Sequence, residues 1–376
     1  MSSKNVISKA SPHTIKKFEL IEEYIKSRTQ KLLLTNSCNG LIFIDCMCNS
    51  GVYQDDSGNF IEGTPVRVAK TLLDVARTYT DKTVHLYFND KVKARVDELE
   101  KHLPQSERNY NVVTSVQDAN DLLKTIGPQL YQTRYLHYFL LYDPYDASID
   151  WKALIPFFRN WGEVMINHMV SDPVRALKSA KRDVTKEKYE NTYLEDFEKL
   201  VPYGSNKEAY EERVEEIIQS LKGPRHYYVA AFPFYNTNNS HMYNLIHCTS
   251  HREGFELYKK SAWKVFGAQS STKKSPDIGQ LRFDENGGIA METDKSCFHV
   301  RDIAKYLQES FRGRRLVPLN EMWDLLDDHP IFPSDGFRQE IKDELVKTYG
   351  AKTEQIFRFE VNKRETVISF SDREKM

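Results

Sequence analysis

Glycine is scarce at the one place where it would be most informative. The chain has 376 residues and 16 glycines, and the turn after its first apolar strand contains only Gly51. A glycine-rich dinucleotide fingerprint, which needs several glycines in close succession, is therefore absent. Paired cysteines are also missing. Cys38, Cys46, Cys48, Cys248 and Cys297 are odd in number and show no Cys-x-x-Cys spacing. This excludes a disulfide framework and the usual ligand set of a structural zinc. Cys46 and Cys48 are close enough to share a soft metal, although small side chains beside a tight turn are the simpler explanation. No apolar run approaches the ~20 residues needed to cross a bilayer. The N-terminal MSSKNVISKASPH lacks the apolar core of a secretory signal, so a cytoplasmic location without membrane contact is expected. Neither sign of charge is in excess: 53 Lys and Arg stand against 54 Asp and Glu, for a net charge of −1. Any nucleic-acid contact must then come from local patches.

What is present describes a globular chain, 40% hydrophobic and 28% charged. It is long enough for two domains of roughly 100–200 residues each. Its organising stretch is LIFIDCMCNSGVYQDDSGNFIEGTP, from Leu41 to Pro65. Leu41 to Ile44 are apolar and Asp45 is not, which predicts a strand buried on both faces with a carboxylate at its carboxyl end. Ligands of open α/β sheets bind in the crevice beyond such ends. Asn49 is the best substitute for a loop glycine, because asparagine enters the left-handed region more easily than other side chains. Thr64 is placed to cap the helix from Val66 to Arg77, with Pro65 in its first turn.

Strands and helices then alternate. An amphipathic helix over residues 12–30, with Ile15, Phe18, Ile21 and Ile25 on one face, precedes the first strand. The second strand, Val84 to Asn89, leads to Asp90, which is placed either to hold the two hydroxyls of a ribose or to cap the helix from Lys91 to Leu103. After a third strand, Tyr110 to Ser115, Asp118 is a candidate for an adenine amino group. The fourth strand, Leu136 to Tyr142, ends in Asp143, Pro144 and Tyr145. An acceptor beside a flat aromatic is the pairing used to orient and stack an exocyclic amine, and a proline turn is the alternative. A fifth strand ends in Asn167 and His168. This order predicts a doubly wound, mostly parallel Rossmann-like α/β sheet. A helical insertion follows over about 174–223, and then a strand pair, Arg225 to Phe234 and Tyr243 to Thr249, joined by a turn-rich loop. Asp143, Asp146 and Asp150 lie close in sequence, but they do not form a recognisable metal-carboxylate motif, and no metal site is predicted.

The first domain is read as residues 1–266, a polar linker as 267–298, and a second domain as 299–376. Three helices and a hairpin in this last segment are the order of a winged helix. Arg338 and Lys342 on its last helix, with Lys363 and Arg364 at the hairpin tip, are candidates for phosphate contact.

Taken together, HTIKKF at 13–18, FIDCMCNSGVY at 43–53, GTP at 63–65, DPY at 143–145, EVMINHM at 163–169 and YNLIHCTSHREGFELYKKSAWK at 243–264 resemble the three-Cys-motif partner family, TcmP. The resemblance covers roughly residues 12–266. It implies a class I methyltransferase-like fold, S-adenosylmethionine as cofactor, and a radical-type partner protein with three cysteines. It places Asp45 and Gly51 at the cofactor, and Asp143, Pro144 and Tyr145 in the pocket. Where the family commonly has phenylalanine, alanine and glycine, this chain has Met47, Cys48 and Asn49. The resulting expectation is methyl transfer to an amine on nucleic acid. Asp45, Asn49, Gly51, Asp90 and Asp118 would hold the cofactor and Asp143, Pro144 and Tyr145 the target. The alternative is a non-catalytic scaffold that recruits the radical partner to nucleic acid.

Overall fold

The computed structural model describes residues 6–132, 135–146, 148–159, 161–171, 173, 183–200, 206–221, 227–274, 297–358 and 363–372. The chain divides into two compact units, one ending at Tyr258 and the other beginning at Lys259.

The first unit runs β1 (Ser8–Lys9), α1 (Pro12–Leu33), β2 (Gly40–Asp45), β3 (Val52–Gln54), β4 (Phe60–Glu62), α2 (Thr64–Thr78), β5 (Thr83–Asn89), α3 (Lys93–Glu100), β6 (Tyr110–Ser115), α4 (Ala119–Ile126), β7 (Leu136–Tyr142), α5 (Trp151–Leu154) and β8 (Gly162–His168). Helices Asp183–Tyr193, Phe197–Leu200 and Lys207–Leu221 follow, then β9 (Tyr228–Tyr235), β10 (His241–Thr249) and the helix Arg252–Phe266, within which the division falls. Seven strands form one sheet in the order β6-β5-β2-β7-β8-β10-β9. The first five in that order pair in parallel, and β10 is antiparallel to both of its neighbours. This is the expected mostly parallel, Rossmann-like α/β sheet.

Every residue of β2 is buried, because a central parallel strand has helices over both faces and needs an unbroken apolar run. The chain winds from β2 out to β5 and β6, then returns to β7 on the other side of β2. That reversal makes a topological switch point, where the crevice of an α/β sheet opens beyond the strand ends. In register, Asp45 faces Phe88 of β5 and Leu141 of β7, so these three strands end nearly level.

Alternation along the strands sends successive side chains to opposite faces. Ile42, Ile44, Tyr138, Leu140, Val164, Ile166 and Ile246 share a core with Tyr193, Tyr210, Val214 and Ile218 of the helical insertion. On the other face, Phe43 stacks on Phe139 at 5.8 Å, and Tyr24 of α1 lies 5.9 Å from the same ring. The insertion thus helps to cover the face of the sheet that carries Ile42 and Ile44, together with Leu123 of α4, Trp151 and Leu154 of α5 and Phe157. Residues 174–182, 201–205 and 222–226 lie outside the described residues, including part of the basic run and the expected stop at Gly223 and Pro224.

Three local expectations are corrected. The polar excursion through Asp55 and Gly58 is the antiparallel hairpin β3–β4, to which β1 adds in parallel. Asp55 accepts the amide hydrogens of Ser57 and Asn59 and so closes the tip, as aspartate does in tight turns. Gly63, not Thr64, is the N-cap of α2. A Cβ on Gly63 would meet the Tyr53 ring at 2.3 Å, so this close approach excludes any side chain there. Finally, α3 begins at Lys93 rather than Lys91, because Asp90 holds the Val92 amide in a turn first.

The second unit contains helices Val300–Ser310, Leu319–Asp327 and Arg338–Tyr349, and strands β11 (Val317–Pro318), β12 (Lys352–Arg358) and β13 (Lys363–Ser369) in the antiparallel order β11-β13-β12. Lys259, fully buried, donates to the carbonyls of Leu326, Asp327 and His329. It thereby satisfies acceptors that a helix end leaves unpaired. Among the described residues no helix is long and apolar enough to cross a membrane.

Candidate functional site at the carboxyl edge of the sheet

The ends of β2, β5 and β7 bring together three carboxylates, Asp45, Asp90 and Asp143. Asp45 is 2% exposed and accepts the Met47 amide hydrogen at 3.2 Å. Burial, followed by the nearby charge of Asp143, pushes its carboxyl up to about 8, and Asp90 adds in the same direction. At neutral pH Asp45 therefore keeps its proton.

The loop after β2 is shaped by two left-handed residues. Asn49 has φ of 57° and Gly51 has φ of 71°, so the asparagine serves the backbone as the expected glycine substitute. A Cβ on Gly51 would meet Leu99 Cδ1 at 2.3 Å. Asn89, at the end of β5 and buried, stitches the loops together. Its amide donates to the carbonyls of Cys46 at 3.0 Å and Gln117 at 3.1 Å, and its oxygen accepts from Ser115 at 2.7 Å. Asp90, 5% exposed, is engaged by the amides of Asn49 at 3.2 Å and Val92 at 2.8 Å and by Arg95 at 3.4 Å. Met47, partly buried, packs against the core cluster.

Asp143 is held from two sides. Asn167 Nδ2 donates to its Oδ1 at 2.6 Å, and Lys17 Nζ, from α1, donates to its Oδ2 at 2.5 Å. Lys17 is 8% exposed and lies 5.4 Å from the Tyr243 ring centre. Pro144 is buried, whereas Tyr145 is 89% exposed and presents an open ring. Tyr53 stands beside this group, its ring 4.9 Å from Phe18. Burial and the charges of Asp143 and Asp45 raise its hydroxyl beyond the ordinary tyrosine range.

Asp118 has a different situation. It is exposed and caps α4, accepting the amides of Asn120 and Asp121 at 2.9 and 3.3 Å. His168 is fully buried and bonded to Tyr193 Oη at 3.0 Å. The thiols of Cys46 and Cys48 are pushed up by burial and then by Asp45, so neither is a ready thiolate. Among the described residues no group of three or more His, Cys, Asp or Glu is arranged to hold a metal ion.

In the second unit, Arg338 and Arg364 are exposed and Lys342 is partly exposed. Arg338 donates to the Ser334 carbonyl at 2.8 Å and lies over Trp323 at 5.3 Å. The Lys363 side chain and the hairpin tip at 359–362 lie outside the described residues.

Sequence reasoning singled out neither Lys17, Asn89 nor Tyr53. Lys17 left a signal: it falls on the same face of α1 as Phe18, Ile21, Tyr24 and Ile25, all of them buried. A charge on an apolar stripe demands a partner.

No family model matches the chain, and no curated protein matches it. The resemblance to the three-Cys-motif partner family therefore rests on the motifs alone. Among solved structures, one of loganic acid methyltransferase with SAH is similar at 12% identity, covering 69% of this chain and 87% of that chain, with a TM-score of 0.27. A likeness of that size establishes neither a family nor a reaction.

Proposed function

We propose that the chain is an S-adenosylmethionine-dependent, class I methyltransferase-like protein that acts on an amino group. The observation that carries this reading is the gathering of Asp45, Asp90 and Asp143 at the level ends of β2, β5 and β7, where Lys17 pairs with Asp143 and Arg95 with Asp90 while buried Asp45, beside them, is pushed up. A cationic ligand relieves that cost, and the methyl donor carries both an ammonium and a sulfonium. The left-handed Asn49 and Gly51 shape the loop that would approach it, and Asp90 would hold its ribose. Asp143 would orient the target amine, with Tyr145 as a stacking face. Aligning donor and acceptor supplies most of the rate in such a transfer.

Calorimetry with S-adenosylmethionine in buffers of differing ionisation heat tests this reading. Binding is expected to release a proton at pH 7 as Asp45 ionises, and to tighten as pH rises toward 8. No saturable heat, or binding without proton release, would count against it.

A second reading has its own support. The carboxylates of Asp90 and Asp143 are already bonded to protein groups, which suits a scaffold without turnover. Under it, the second unit would act as a winged helix, its three helices and β11-β13-β12 sheet following that module's order. Arg338, Lys342, Lys363 and Arg364 would meet phosphates, and the first unit would dock a radical three-Cys-motif protein. Salt-dependent binding of the full chain to duplex and single-stranded probes, weakened by Arg364→Glu, tests the nucleic-acid part.

A further inference from the structure

The carboxyl edge already holds one amine. Lys17 Nζ sits 2.5 Å from Asp143 Oδ2 and over the Tyr243 ring at 5.4 Å. The other oxygen of the same carboxylate takes the Asn167 amide, which carries a polar atom without a partner. Asn167 is 3% exposed, and its Oδ1 is buried with no hydrogen-bond partner. The amide cannot be turned the other way, because a carboxylate only accepts hydrogen bonds and Asn167 must offer Asp143 its NH2. The oxygen and nitrogen of one amide are about 2.2 Å apart, so Asn167 Oδ1 lies within about 5 Å of the Asp143 carboxylate. Leaving such an acceptor buried and unpaired costs on the order of 1–3 kcal/mol, so the position calls for a donor from a ligand or an ordered water.

We propose that Asp143, Asn167 and Tyr243 form a subsite for a primary amino group, which Lys17, tethered to α1, fills only in part in this structure: it bonds Asp143 and faces Tyr243 but leaves the Asn167 oxygen unpaired. This rests on the methyltransferase-like reading only in naming the acceptor: a primary amine rather than a hydroxyl or a tertiary amine. Two acceptors this close suit one nitrogen with at least two N–H bonds. The Asp143 carboxylate takes one hydrogen and the Asn167 oxygen the other, while the Tyr243 ring faces the charge.

Lys17→Ala removes an atom chain equivalent to n-propylamine, so that compound is the probe. Thermal melting of the variant is expected to rise saturably with n-propylamine and to stay flat with 1-propanol. N,N-dimethylpropylamine, which when protonated offers one N–H, is expected to bind roughly 10-fold more weakly, the value of one lost hydrogen bond to a polar acceptor. Asn167→Leu in the same background is expected to remove that difference. Equal responses to primary and tertiary amines, or a response to neither, would overturn the subsite. Should Lys17→Ala not fold, its refolding yield in the same series gives the same discrimination. S-adenosylmethionine calorimetry on the intact protein fails or succeeds separately, so the subsite and the methyltransferase-like reading can be lost independently.

Discussion

Helix α1 is tied to the sheet at two places with opposite electrostatic character. Eleven residues separate Lys17 from Arg28, about 16 Å along a helix. Across the sheet, Glu163 pairs with Phe139 and Asp143 lies four residues further on, about 13 Å along a strand. One helix therefore spans both acids. At the Arg28 end a single carboxylate is oversupplied with donors. Glu163 takes Arg28 Nε at 2.8 Å and Tyr24 Oη at 2.5 Å, with His247 Nε2 at 3.1 Å. Burial pushes Glu163 up, but Arg28 and the hydrogen bonds outweigh it and hold the acid well below its usual range. At the Lys17 end three carboxylates share Lys17 and Arg95, and Asp45 is left protonated. The first arrangement is complete in itself, whereas the second lacks a cation. Under the proposed function, the cationic methyl donor would supply the charge that this end lacks.

The sharpest way to break this comparison is to remove the cation at the complete end. Arg28→Met is expected to destabilise the fold by about 3–5 kcal/mol, since it strands a buried carboxylate. Arg28→Met combined with Glu163→Met should recover much of that loss, measured by denaturant unfolding. An equal loss in the double variant would show that the pair contributes by packing rather than by charge.

Next in size, Asp45→Asn should do the opposite. A folded value of about 8 above the unfolded carboxylate value means that the native state holds the proton between about pH 4 and pH 8. The native state thus loses stability as pH rises across that window. The variant is expected to be more stable than the parent at pH 8.5 and equal to it near pH 4, while losing affinity for a cationic ligand. Glu163 has the reverse sign: its contribution is present at neutral pH and lost as pH falls through and below the usual carboxylate range. Unfolding midpoints taken across pH should therefore show two slopes of opposite direction, and a single slope would remove the distinction between the ends.

The smaller effects concern the loop that frames the incomplete end. Gly51→Ala meets both a left-handed φ and the Leu99 methyl, and is expected to cost about 2 kcal/mol. Asn49→Gly should be within about 0.5 kcal/mol of the parent and Asn49→Val about 1 kcal/mol worse, as the left-handed position predicts. Comparable losses for both Asn49 variants would assign the residue to its Ser50 amide contact at 2.7 Å rather than to its φ.

Much of this molecule is written locally. The unbroken apolar run of β2, the helical spacing in α1 and the turn residues between β9 and β10 depend on neighbours within a few positions, and each element appears close to where its pattern puts it. Asn49 was legible for the same reason, since a left-handed preference is a property of one residue. Asp118 reads in sequence as an adenine contact and is seen capping α4, because helix capping and ligand contact favour the same residue type at the same kind of place. The hairpin β3–β4 was not legible: its strands are three residues each, too short for a period to show.

The sequence by itself determined the alternation of strands and helices, and that acids stand at strand ends. Only the tertiary structure decided which of those acids meet, because burial and charge coupling depend on distances that chain separation does not encode. Lys17 and Asp143 are 126 residues apart and Arg28 and Glu163 are 135. The pairing that leaves one end of α1 balanced and the other short of positive charge exists only once the sheet is assembled beneath the helix.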